Sequence, residues 1–446
     1  MKQGMSAFQI VILSVFGASA VAGVLIFAFL IGSNSGATIG QVVIWGTFDE
    51  TALQVVLRQM AENDGRLRQV SYVQKNEDTY TTELTNALAS GTGPDLFVLR
   101  QDDTVSEAPK IFPIPYSSLS KEQFQDLWVE GAETFLSAEG TLGIPFAIDP
   151  FILYWNRDMF STAGIARAPQ YWDEMYDAAR AITRRNDAGT IVKSAVALGE
   201  YANVNHAKGI LSMLIMQAGG RITFRDSAGT LSPSLMARVG ETSQPAESAL
   251  RFFTQFANPS GADYSWNRAF PESRVAFAQG DLALYIGPAS EEPLIRRLNP
   301  NLNFAASSTP QIRGTSKYVD SGYVYAFAVS RTPQNPDGQR TLQEMQKSQQ
   351  GALTAAYLLG GTDGSKLLAT ALGLASARRD VLSVRAQGYD ELFNKQALLV
   401  RAWEDPNAKE TERIFRDMIE SVTSGAAKTT EAVQRAEQAM RQLTSP

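Results

Sequence analysis

A chain of 446 residues is long enough for two or three ordinary domains around a well-buried core. Its formal charge of −6, with basic residues only in scattered pairs such as Arg184-Arg185 and Arg378-Arg379, argues against nucleic acid as a partner, which needs a continuous basic face. The absence of cysteine excludes disulfides, thiolate nucleophiles, iron–sulfur clusters, cysteine-bound zinc and a lipidated-cysteine tether, and the single histidine, His206, excludes multi-histidine metal sites. No cofactor is therefore expected, and His206 itself reads as a surface or hydrogen-bonded residue.

The chain opens with a membrane signal. No charge interrupts the stretch between Lys2 and Asp49, and Ile10 to Ile31 form a nearly continuous apolar run. As a helix this run spans roughly 33 Å, enough for the hydrocarbon core of a bilayer. It is longer than the h-region of an ordinary leader, although Ser35-Gly36-Ala37 offers small residues for signal cleavage. The expectation is an N-terminal transmembrane helix over 1–37, oriented by Lys2 with the body outside the cytoplasm. Secretion after cleavage is the alternative.

The body begins with strand and helix patterns in alternation. Val42 to Trp45 predicts a buried strand, and Glu50 to Asn63 a helix with Leu53, Val56, Leu57 and Met60 on one face. Gln69 to Gln74 predicts a second strand, Glu77 to Ser90 a second helix, and Asp95 to Leu99 a third strand. This order implies right-handed crossovers and a mostly parallel sheet, which binds ligands beyond the carboxyl ends of its strands. The turns Gly46-Thr47-Phe48-Asp49 and Arg100-Gln101-Asp102-Asp103 occupy those positions. Helical spacing recurs at Gln170 to Arg185, Ala207 to Ala218, Ala246 to Ala257 and Arg274 to Gln279. Strands are expected at Asp281 to Ile286 and Gly322 to Val329, and amphipathic helices at Lys409 to Val422 and Thr430 to Leu443. Gly360 to Lys366 is Gly-rich but has the wrong spacing for a phosphate loop, and reads as a turn between helices.

Several landmarks resemble a known family. Gly143-Ile144-Pro145, Tyr154-Trp155-Asn156-Arg157-Asp158, Ala163-Gly164-Ile165 and Pro169-Gln170-Tyr171-Trp172-Asp173-Glu174 are similar to a segment of family 1 extracellular solute-binding proteins. These are the maltose-binding-like receptors of ATP-binding-cassette (ABC) importers. Gly93-Pro94-Asp95, Gln217-Ala218-Gly219-Gly220 and Phe277 to Leu284 fit the family's order, so the resemblance covers roughly residues 40 to 446. It implies an α/β body of the type 2 periplasmic-binding fold, with two lobes closing on a solute at a hinge cleft. The implied first lobe takes 38–147 with 323–375, and the second 148–322 with 376–446. Ala147 to Pro150 and Asp320 to Tyr323 would be hinge strands.

Candidate ligand residues follow from that frame, because a cleft for a polar solute needs aromatic faces and hydrogen-bonding side chains. Trp45, Thr47, Phe48 and Asp49 stand where the family reaches its ligand, or form a buried strand end and turn. Asp102 is a ligand acid or a helix cap, and Asp149 a hinge acid or a structural hydrogen-bond acceptor. Tyr201 is expected in a cleft loop of the second lobe, Trp266 as an aromatic wall or a core residue, and Tyr323 facing the cleft. Pro288 follows a strand where the family often continues with a stacking tryptophan. Here Ala289 stands instead, which weakens the case for a maltose-like ligand. The implied partners are a small solute, most readily a carbohydrate, ABC permease subunits and the membrane, with the chain itself a monomer. A signalling receptor and a surface glycosidase drawing two acids from Asp102, Asp103 and Asp149 are the competing readings.

Overall fold

The computed structural model describes residues 39–240, 243–315, 317–332 and 341–444. The apolar run expected to be a membrane anchor lies outside these, and among the described residues no helix is long and apolar enough to cross a membrane.

The strands are β1 Val42–Gly46, β2 Val70–Gln74, β3 Leu96–Arg100, β4 Ile144–Asn156, β5 Arg184–Arg185, β6 Ile191–Val196, β7 Thr223–Arg225, β8 Leu231–Pro233, β9 Leu282–Pro288, β10 Phe304–Ser307, β11 Gly322–Val329 and β12 Ala375–Ser376. β1 lies parallel to β2 and β3, as strand-helix-strand connections require. β11 then closes this sheet antiparallel to β3, so the sheet is mixed rather than purely parallel.

β4 organises the molecule. Its 13 residues, IPFAIDPFILYWN, are apolar apart from Asp149 and the terminal Asn156, and nearly all are buried. The first half pairs with β11, with Ala147 and Ile148 also touching β12; the second half pairs with β9 on one edge and β10 on the other. One strand thus belongs to two sheets. Where it changes partners, Pro150 sits opposite Gly322. A Cβ on Gly322 would lie 2.5 Å from the Asp149 carbonyl oxygen, so only glycine lets the two crossing strands approach this closely.

The buried apolar side chains form two clusters that divide at this crossing. One holds Ile39 through Ile148 and resumes at Val324; the other begins at Phe151. The last part of the chain divides differently from expectation. Ala377, Leu382, Ala397 and Val400 pack into the first cluster, and only from Ile414 onward do the terminal helices Ala408–Thr423 and Thr429–Thr444 complete the second. The helix Tyr389–Ala397 straddles both, with Leu392 and Phe393 against the second core. The expected 170–185 helix is shorter, Glu174–Ile182, because Arg184-Arg185 pair with β6. Of the Gly-rich stretch, Gly360-Gly361 make the turn and Thr362 already opens the helix Thr362–Leu372.

Candidate functional site

The two lobes face each other across a crevice beside the hinge. Its inner part, about 100 Å³, is lined by Arg100, Gln101 and Asp102 of the first lobe, by Ser321, Gly322 and Tyr323 at the crossing, and by Phe151, His206, Lys208, Ser212 and Trp403 of the second. An outer part of about 440 Å³ lies between Thr47, Glu77, Tyr80 and Asp103 on one side and Lys409, Glu412 and Arg416 on the other. Arg100, Asp102, Lys208 and Glu412 line both parts, so they form the waist of one continuous cleft.

The first-lobe wall is built where β3 ends. Gln101 is held against β11, donating to the Gly322 carbonyl at 3.2 Å and accepting from the Val324 amide at 2.6 Å. That clamp fixes the short turn on which Arg100 and Asp102 pair at 2.6 Å, with the guanidinium 5.1 Å from the Tyr323 ring. Burial pushes the Asp102 carboxyl up, but Arg100 outweighs it and holds Asp102 below the usual carboxylate range. Asp103 has no such partner. Burial first, and the neighbouring Asp102 second, raise its pKa to about 7.

The second-lobe wall rests on buried ionic contacts. Lys208 donates to Asp405 at 2.6 Å and to Thr411 at 2.8 Å, and lies 5.4 Å from the Trp403 ring. It ties the helix Ala207–Gln217 to the start of the helix Ala408–Thr423. His206 precedes the first of these helices with φ 59°, the left-handed region that a non-glycine residue rarely occupies. Its ring is wedged between Tyr323 Oη and Glu291 Oε1, each at 3.1 Å, while Glu291 also accepts from Arg274 at 2.8 Å.

Of the residues expected to contact a ligand, Thr47, Asp102 and Tyr323 line this cleft. Tyr201 stands one step behind it, bonded to Glu412. The others do different work. Trp45 is covered by the Lys75 ammonium at 3.7 Å, Phe48 packs edge-on against Phe146 and Tyr325, and Asp49 caps the helix Glu50–Asn63 by accepting from the Ala52 amide. Trp266 is not an aromatic wall: it is fully buried, donates to Asn203 at 2.9 Å and stacks on Phe270. Pro288 is buried at the end of β9, and its carbonyl accepts from Tyr154. Asp149 spends both oxygens on Ser290, at 3.0 Å from the amide and 2.6 Å from the hydroxyl, which pins β4 to the turn after β9. Desolvation at this site raises its pKa to about 6.

That placement bears on the glycosidase alternative, which needs two carboxyls flanking one bond. Asp149 is buried away from the cleft lining and Asp102 is engaged by Arg100, leaving Asp103 without an opposed partner from the three acids considered. Among the described residues no group of histidine and carboxylate side chains could hold a metal ion. The places of Lys208, Ser212, Trp403 and Glu412 in the cleft lining were not anticipated. Ser212 and Lys208 sit on a helix whose apolar spacing reads as core, and Glu412 on an amphipathic helix whose polar face reads as solvated surface.

The profile of bacterial extracellular solute-binding proteins matches residues 49–345. Provisionally named binding proteins of Brucella abortus and Brucella suis are 28% identical over 102 residues, and the match spans only 24% of their length. Among solved structures, the cyclic α-maltosyl-1,6-maltose binding protein of Arthrobacter globiformis superposes with a TM-score of 0.72 at 16% identity, over 91% of this chain and 98% of that one. An ABC transporter solute-binding protein of Thermotoga lettingae bound to α-D-tagatose gives 0.64 at 21% identity, over 91% and 100%. UgpB of Mycobacterium tuberculosis in complex with glycerophosphocholine gives 0.68 at 14%, over 91% and 98%. At these identities the likeness is one of fold.

Proposed function

The chain belongs to the bacterial extracellular solute-binding protein family, and we propose that it is the capture subunit of an ABC importer, closing its lobes on a small carbohydrate. The observation that carries this reading is a hinge-side cleft whose hydrogen-bonding groups come from both lobes, so that a solute touching Arg100 and Asp102 on one side and Glu412 on the other favours closure. Tyr323 and Trp403 supply faces for the apolar side of a sugar ring, and the charged pairs supply donors and acceptors for its hydroxyls. The role needs no catalysis. The body works outside the cytoplasm, the run Ile10–Ile31 tethers it to the membrane, and one copy suffices for capture.

Thermal unfolding of the purified full chain against mono- and disaccharides tests the reading. A saccharide at 100 times its Kd adds about 2.7 kcal/mol and raises the midpoint by several degrees. The absence of any shift across the panel, or hydrolysis of the sugar that gives one, overturns it.

A further inference from the structure

The inner part of the cleft contains one group that its own surroundings leave without a partner. Ser212 is 2% exposed and lines this pocket, yet its hydroxyl makes no hydrogen bond within the protein. The other buried hydroxyls without partners among the described residues, on Thr134, Thr141 and Tyr357, line neither part of the cleft. A buried hydroxyl without a partner is costly, and native structures rarely keep one without a use.

The charges around it are already matched. Arg100 is paired with Asp102 at 2.6 Å, Lys208 with Asp405 at 2.6 Å, and Arg401 with Glu130 at 2.7 Å. The pocket therefore offers no spare cation for a carboxylate or phosphate, and its remaining acid, Glu412, already accepts from Tyr201 and lies 3.8 Å from Lys208. What it offers is a hydroxyl that both donates and accepts. The wall beside Ser212 is also shaped closely: a Cβ on Gly209 would lie 2.7 Å from the Phe151 ring, so the helix Ala207–Gln217 packs on that ring only because glycine stands there.

Resting on the capture reading above, we infer that Ser212 is a specificity-determining residue: it hydrogen-bonds a hydroxyl at the neutral end of the saccharide that enters the inner pocket. Such a site rejects an analogue lacking that hydroxyl, because the protein group is then left buried and unpaired.

The test takes the neutral mono- or disaccharide giving the largest thermal shift from a panel of glucose, galactose, mannose, maltose and trehalose. Its Kd for the wild-type full chain and for Ser212→Ala is measured by calorimetry, together with its monodeoxy, uronic acid and amino-sugar analogues. Ser212→Ala is expected to weaken the parent sugar by roughly tenfold to a hundredfold. One monodeoxy analogue should lose as much on the wild type, and Ser212→Ala should no longer distinguish it from the parent. Without ligand, Ser212→Ala should melt no lower than the wild type, which separates recognition from folding. Equal binding by wild type and Ser212→Ala removes the inference alone, as does tighter binding of the charged analogues. Failure of every saccharide to bind the wild type removes the capture reading and the inference with it.

Discussion

The two walls of the cleft are built by different means. On the first-lobe side, Thr47, Arg100 and Asp102 ride on short turns at the ends of β1 and β3, with a core of conventional apolar packing behind them. On the second-lobe side, His206 stands just before one helix, Lys208 on that helix and Glu412 on another, joined by ionic contacts that are themselves nearly buried: the Lys208 side chain is 11% exposed and that of Asp405 0%. The difference separates binding from stability on one wall and fuses them on the other. On the proposed capture role, a first-lobe side chain is removable at the expense of ligand contacts alone. A second-lobe side chain takes part of the fold with it.

The largest test of this contrast is Lys208→Ala. It leaves Asp405 as an unpaired buried carboxylate, and the expected loss is about 3–5 kcal/mol of unfolding free energy by denaturant titration. The double substitution Lys208→Met with Asp405→Leu should recover most of it. A loss below about 1 kcal/mol in the single variant would mean the second wall is no more integral than the first.

Next in size is the hinge acid. The folded pKa of Asp149, about 6, lies above the ordinary carboxyl value of 3.8, so the folded state holds a proton that the unfolded chain has released. The associated stability is fully present below pH 4 and is lost as the pH rises through 6, an effect of about 3 kcal/mol. Comparing wild type with Asp149→Asn by chemical denaturation at several pH values isolates it: the variant's profile should be flatter over that window. Parallel profiles would refute the assignment.

On the first wall, Asp102→Ala should cost at least about tenfold in saccharide affinity while changing stability by less than about 1 kcal/mol, because the lost pair with Arg100 is partly solvated. Calorimetry and denaturation on one preparation decide it, and a large stability loss with intact affinity would erase the contrast. The smallest effect is expected from Lys75→Ala. It removes the cation over Trp45, about 0.5–1 kcal/mol, and leaves affinity unchanged. A fall in affinity would bring Trp45 back to the ligand.

The same contrast explains what could be read from the amino-acid order. The first lobe announces itself locally: strand and helix periods alternate cleanly from Val42 to Arg100, and the turns after β1 and β3 follow from the direction of a parallel sheet. Asp102 and Thr47 were legible for that reason. The second wall depends on contacts such as that of Lys208 with Asp405, 197 positions apart, for which no local pattern exists. Trp266 misled in the opposite sense. Its polar neighbours suggest a surface, but Asn203 and Phe270 supply the polar and apolar partners that an indole needs to be buried whole. Asp149 stands out in the sequence for its place on a hinge strand, but as a candidate for the ligand. The Ser290 contacts that explain it come from a turn 141 positions away.

The return of the last two helices to the second core has a temporal side. Ile414, Phe415, Met418, Val433 and Met440 form part of the wall against which residues from Phe151 onward pack. At about 5–20 residues per second, the ribosome takes on the order of ten seconds to travel from Ile295 to that wall. Through that interval the nascent second lobe lacks the side chains of its last two helices and cannot reach its final packing. A protein destined to be threaded across a membrane gains from such a delay, since translocation can begin on a chain that has not yet locked.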